Sequence, residues 1–81
     1  MRRHPDAAYP RLYLARGLLM RGERLDEALP LALSALGDAV NDRQKAFACF
    51  LLADLYNRIG NAASSEEFAA RGKELERTAG R

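Results

Sequence analysis

The chain contains one Val, one Ile, one Thr and no Trp. Strands draw on β-branched and aromatic side chains, so this shortage all but excludes a sheet. A single Cys, Cys49, cannot form an internal disulfide, so the cysteine usage calls for no oxidising compartment. The one His, His4, stands far from Cys49 in the chain. A metal site lacks clustered imidazole or thiolate ligands, and nucleophilic catalysis lacks a base beside a thiol. We therefore expect no cofactor, no metal and no enzymatic activity. Nothing between Met1 and Pro10 has the apolar core of a secretory signal. Arg11, Arg16 and Arg21 interrupt the first apolar stretch and Asp54 the second, so no run reaches the roughly 20 apolar residues of a membrane span. The expected location is the cytoplasm, with no membrane partner. Net positive charge is small: the formal net charge is +2, and the excess comes from Arg2, Arg3 and Arg81 at the ends. A surface of Arg2, Arg3, Arg11, Arg16 and Arg58 interspersed with acids is a weak nucleic-acid site. No glycine-rich phosphate loop is present.

What the chain has is 15 Ala and 13 Leu in 81 residues. These are the strongest helix formers, so an all-α chain is expected. For chains of about 80 residues or fewer, burial only just offsets chain entropy, so partners matter for stability. Eleven Arg to two Lys, with abundant Ala, is a composition associated with a GC-rich bacterial genome.

Punctuation divides the chain into four helices between a flexible tail at residues 1–5 and a loose end at 79–81. The first is expected from Asp6 or Ala7 to Arg21, with Asp6 as N-cap and Gly22 as the stop. The second runs from Leu25 or Asp26 to Leu36 and is closed by Gly37, with Pro30 delaying or bending its start. Asp38 to Asp42 forms the longest connection. Asn41 or Asp42 caps a third helix, which ends at Ile59 before Gly60. The fourth starts near Ala63 or Ser64, capped by Ser64 or Ser65, and frays towards Thr78. The acid pairs Asp26-Glu27 and Glu66-Glu67 open helices, where the dipole accounts for them.

The two halves are alike. Leu14, Ala15, Leu18 and Gly22 recur thirty-eight residues later as Leu52, Ala53, Tyr56 and Gly60. Thirty-seven residues separate Ala28, Ala32 and Ala35 from Ser65, Ala69 and Gly72, a row of small residues where paired helices can approach closely. A helix pair repeated at this spacing is the mark of an α-helical hairpin array. The rival reading is an up-and-down four-helix bundle with accidental self-similarity.

Leu14 to Gly22 followed by Leu25 to Leu29, and more closely Leu52 to Gly60 with its aromatic Tyr56, resemble the tetratricopeptide repeat family. Two degenerate repeats would span about 7–37 and 42–78, forming a domain over 6–78. The resemblance implies a right-handed array of two helix-turn-helix hairpins that serves as a non-enzymatic protein–protein interaction module. The chain departs from the family in an extra residue in the first turn and in Arg11 and Cys49 where a large aromatic is usual. Ser65 also replaces a small Ala, and the Pro between repeats is missing.

One stripe of the third helix stands out. At about 100° per residue, Arg43, Phe47, Phe50, Asp54, Asn57 and Arg58 fall within roughly 60° of one line. The remaining faces carry Cys49, Leu52, Ala53, Leu55, Tyr56 and Ile59 and are expected to be packed. The corresponding stripe of the first repeat is Tyr9, Leu12, Arg16, Leu19 and Met20. The resemblance implies that these residues line a concave groove that receives a protein or peptide partner. The competing expectation is that the two Phe serve as core or subunit contacts. No Lys lies on either stripe, so the Lys and Asn clamp with which some relatives hold a peptide carboxylate is not evident.

Helix four carries a narrow apolar stripe of Ser65, Phe68, Ala69, Gly72 and Leu75, as a solvated cap should. Helices one and two are apolar nearly all round and expect further neighbours. The chain thus reads as capped at one end only, either as the last piece of a longer repeat protein or as one that forms a homodimer through helices one and two.

Overall fold

The computed structural model describes residues 8–79, which form four helices: α1 (Tyr9–Arg21), α2 (Leu25–Asp38), α3 (Asp42–Ile59) and α4 (Ala62–Ala79). The described residues contain no strand. The expected tail at 1–5, the Asp6 cap, His4, Arg2, Arg3 and Arg81 lie outside them.

Successive helices pack as two hairpins, α1 with α2 and α3 with α4, and α3 also packs on both α1 and α2. Among the described residues α4 touches α3 alone. The order of contacts is therefore open, whereas an up-and-down bundle closes by packing its last helix on its first. The core runs along the seams: Leu12, Ala15, Leu18 and Leu19 from α1, Ala28, Ala32 and Ala35 from α2, and Ala48, Leu51, Leu52 and Leu55 from α3. Ala28, Ala32 and Ala35 are fully buried, and Gly72 is the buried member of the matching row on α4.

Both hairpin turns begin with the same device. Gly22 at φ 68° and Gly60 at φ 96° end α1 and α3 in the left-handed region, where lack of a β-carbon removes the steric cost. The following amides, of Glu23 and Asn61, donate back to the carbonyls of Leu18 and Tyr56 at 3.3 and 2.8 Å, closing a Schellman motif in each case. The turns then diverge. Asn61 directly precedes α4, whereas the first turn contains the extra residue Arg24, held at φ 55° and the only non-glycine at positive φ among the described residues.

Several boundaries differ from the sequence-based expectation. Helix α2 continues through Gly37 to Asp38 and ends at Ala39 in extended geometry, so a helical Gly in mid-turn was mistaken for a stop. Pro30 does not delay the start: α2 begins at Leu25 with the carbonyl of Arg24 accepting from Glu27 and Ala28. Pro30 itself is exposed. The connection at 39–41 is no longer than that at 22–24. Helix α4 starts at Ala62, and its cap is Asn61, whose Oδ1 accepts from the Ser64 amide at 3.1 Å. Ser65 instead donates its hydroxyl to the Ala53 carbonyl of α3 at 2.8 Å, tying the two helices together where they are closest in sequence. Helix α4 does not fray before Ala79, and the Thr78 hydroxyl reaches both the Leu75 carbonyl and Asp42 of α3.

The expected cap of α3 is present and has an addition. The Asn41 Oδ1 accepts from the Gln44 amide at 2.9 Å, while the Gln44 Oε1 accepts from the Val40 amide at 3.1 Å. This reciprocal arrangement is a variant of the capping box, shifted by one residue on its return bond. Arg11, half-buried, spans from α1 to α2, bonding Ser34 and pairing with Asp38. Cys49, thirty-eight residues further on, is fully buried in α3. One register position thus serves as a bridge in the first hairpin and as core in the second.

Candidate functional site

A groove of about 840 Å³ runs over α3 between α1 and the C-terminal half of α4. Its position follows from the contact order: α1 and α4 both flank α3 without touching each other, so the face of α3 between them is left uncovered. Arg43, Phe47, Phe50, Asp54, Asn57 and Arg58 all line it, joined from α1 by Arg16, Leu19 and Met20. Nine of the eleven residues singled out from the sequence are therefore brought together. Two are not. Leu12 is fully buried in the core beneath the groove, and Tyr9 stands at its edge, in contact with Phe47.

The two Phe lie half-buried, with different neighbours. Phe47 belongs to a cluster with Tyr9 and Tyr13, at centroid separations of 6.3 and 5.6 Å and in edge-on geometry to both. Tyr9 and Tyr13 stack on each other at 6.0 Å. Phe50 turns towards α4, where its ring lies on Gly72. Each Phe thus shares its surface between the fold and the groove, the combination that makes an aromatic a rigid element of a recognition surface. Met20 is 72% exposed and is the most accessible large apolar residue of the site.

The polar members are exposed. Arg16, Arg43, Asp54, Asn57 and Arg58 all reach solvent. Sequence reasoning missed Ala46, Leu51 and Glu76, which also line the groove. Ala46 and Leu51 flank the stripe on α3. Glu76 comes from α4, which had been read only as a solvated cap; no local signal in its charged face marks the one residue that faces across α3. Tyr13 was missed as well, although it lies one turn from Tyr9, a spacing that places two rings side by side.

One expectation for packing also changes: Ile59, expected to be packed, is 49% exposed at the end of α3. Leu14, the counterpart of the fully buried Leu52, is 51% exposed. Cys49 is buried, and that burial pushes its thiol pKa up, with the Arg71 charge acting weakly in the opposite sense. A protonated, enclosed thiol is a packing group and a poor nucleophile. Among the described residues no three His, Cys, Asp or Glu side chains are grouped to hold a metal ion, and no helix is long and apolar enough to cross a membrane.

Comparison with known proteins finds no matching family model, no matching curated protein and no matching solved structure.

Proposed function

We propose that the chain is a non-enzymatic protein-interaction module that receives a peptide or protein segment in the groove over α3. The observation that carries this reading is the make-up of the groove: rigid aromatic and aliphatic surface from Phe47, Phe50, Leu19 and Met20, with Arg16, Arg43, Asp54, Asn57 and Arg58 around it. Apolar anchors surrounded by a few polar groups suit a side-chain-reading surface. The open contact order and the matched turns at Gly22 and Gly60 support a hairpin array as its scaffold, and the tetratricopeptide resemblance implies that this array is right-handed. In that reading the repeats cover about 7–37 and 42–78, and the cytoplasm of a bacterial cell is the setting. Selection of binders from a random peptide library tests the function. Binders should shift the amide resonances of Met20, Phe47 and Asn57 and lose affinity for Met20→Glu, a change at an exposed position. Binders that shift only α2 would remove the groove from consideration.

A second reading is homo-oligomerisation, or the capping of a larger repeat protein, through the first hairpin. One observation favours it: the hairpin exposes Tyr13, Leu14 and Leu33, at 57, 51 and 41%, while α4 exposes no large apolar side chain among the described residues. Exposed apolar surface of this kind is a common mark of an interface. Sedimentation equilibrium would show a dimer at tens of micromolar that dissociates in Leu14→Glu. A monomer at that concentration would remove the homo-oligomer from this second reading.

A further inference from the structure

The arginines of the described chain fall into two sets. Arg11, Arg21, Arg24 and Arg77 pair with Asp38, Glu23, Glu27 and Glu74, and Arg71 lies over the Phe68 ring, 5.2 Å from its centroid. Arg16, Arg43 and Arg58 form no hydrogen bond, ion pair or ring contact among the described residues, and all three line the groove. Lys45 and Lys73 also form no ion pair among the described residues, but neither lines it. Among the described residues, free guanidinium groups are thus confined to one surface, although α2, α3 and α4 all carry acids.

Their spacing carries further information. Arg43 and Arg58 stand fifteen residues apart on α3, near its two ends, with Phe47 and Phe50 between them on the same face. At about 1.5 Å per residue their backbones are separated by about 22 Å along the helix axis. Asp54 occupies the same face between Phe50 and Arg58, and Glu76 adds a second carboxylate to the lining. A continuous polyanion such as single-stranded RNA would have to lay phosphates against Asp54. A peptide whose carboxylates are separated by apolar residues avoids that repulsion and meets an arginine at each end.

We infer that the occupant of the groove is a short apolar peptide segment bracketed by two carboxylate side chains, one directed to Arg43 and the other to Arg58. This rests on the groove reading and adds the charge pattern of the ligand. In an extended peptide, at about 3.3 Å per residue and with side chains of one face at even spacing, the two carboxylates lie about six residues apart, and the long arginine side chains take up the remaining distance. Arg16, on the opposite wall, strengthens the positive potential along the apolar middle.

The test uses three labelled peptides of about seven residues, acetylated and amidated, with a common Leu and Phe interior and Glu, Gln or Lys at both ends, so that the two end side chains fall on one face. Fluorescence polarisation at low salt should rank them Glu, then Gln, then Lys. The Glu peptide should exceed the Gln peptide by about twofold to fivefold per end, the range of exposed ion pairs. Arg43→Gln and Arg58→Gln should each shrink that ratio, and Arg43→Lys should largely keep it. Equal affinity for the Glu and Gln peptides, or a ratio that survives both substitutions, overturns the charge pattern and leaves the groove reading intact. If no peptide binds, both readings fall. A labelled oligouridylate that displaces the Glu peptide at matched salt also overturns the inference in favour of a phosphate ligand.

Discussion

The Phe50 ring lies flat enough on Gly72 that a β-carbon added at residue 72 would stand 3.0 Å from both Cε1 and Cζ. Gly72 is therefore the point at which α4 approaches α3 through an aromatic side chain, and its lack of a β-carbon leaves room for the ring at some cost in helix propensity. This contact fixes one wall of the groove, because the ring that presses on α4 also lines the site.

Replacing Gly72 with Ala sets two effects against each other. Helix propensity gains up to about 1 kcal/mol, and the ring, held between α3 and α4, must give way to a new methyl group that would stand 3.0 Å from it. Overpacking of this kind costs about 1–3 kcal/mol, so Gly72→Ala should lower stability in urea titrations. In a Phe50→Leu background the obstacle is smaller, and the same change should raise stability. The reversal of sign is the test; destabilisation of equal size in both backgrounds would mean that the ring is not the cause.

The turns offer a contrast. Gly60 and Arg24 both adopt positive φ, yet only one is a glycine. Gly60→Ala should destabilise the chain by about 1 kcal/mol, because the left-handed region costs a β-carbon-bearing residue that much. Arg24→Gly should be stabilising or neutral by the same reasoning, offset by loss of the long, exposed contact with Glu27. Thermal denaturation of the two single variants decides this: melting temperatures should move in opposite directions or, for Arg24→Gly, not at all. A fall in both would refute the account of the extra residue.

How far these features could be read beforehand depends on their range. The narrow stripe of α4 was legible because Ser65, Phe68, Ala69, Gly72 and Leu75 repeat at helical spacing, and each is at least half-buried, while Glu66, Glu67, Arg71, Lys73, Glu74 and Arg77 are exposed. The groove-facing stripe of α3 was legible for the same reason. Leu12 was not separable from Leu19 by period alone, since both lie on the inward side of α1 and only the path of α3 decides which one meets the groove. Gly37 was misread because a glycine in a helix and a glycine after one are the same letter; what ends α2 is the extended backbone of Ala39. Glu76 depended wholly on the placement of α4, which no local pattern encodes.

The cap of α3 makes a graded prediction. Asn41→Ala removes the side-chain acceptor of the Gln44 amide and should cost about 1 kcal/mol, typical of an N-cap. Gln44 is itself only 2% exposed, and its Oε1 holds the Val40 amide. Gln44→Leu should therefore cost at least as much, because it strands that amide as well as losing a bond. Urea titration of both variants measures the difference, and a neutral Gln44→Leu would show that solvent satisfies Val40 without help.

Cys49 connects the core to pH. Burial raises its thiol pKa above the ordinary value of 9.0, so the folded protein holds this proton more tightly than the unfolded chain does. Where the folded pKa is the higher one, the stabilisation is complete below the unfolded value and is lost as pH rises through the folded value. Stability of the wild type should hence decline from about pH 9 upwards by an amount that Cys49→Ala does not show, although that variant starts from a lower level because it loses buried volume. The same burial makes the native thiol react slowly with an aromatic disulfide reagent at pH 8, with labelling that accelerates in urea in step with unfolding. Rapid labelling of the native protein, or identical alkaline profiles for the wild type and Cys49→Ala, would place the sulfur at an accessible site and not in the seam of α3.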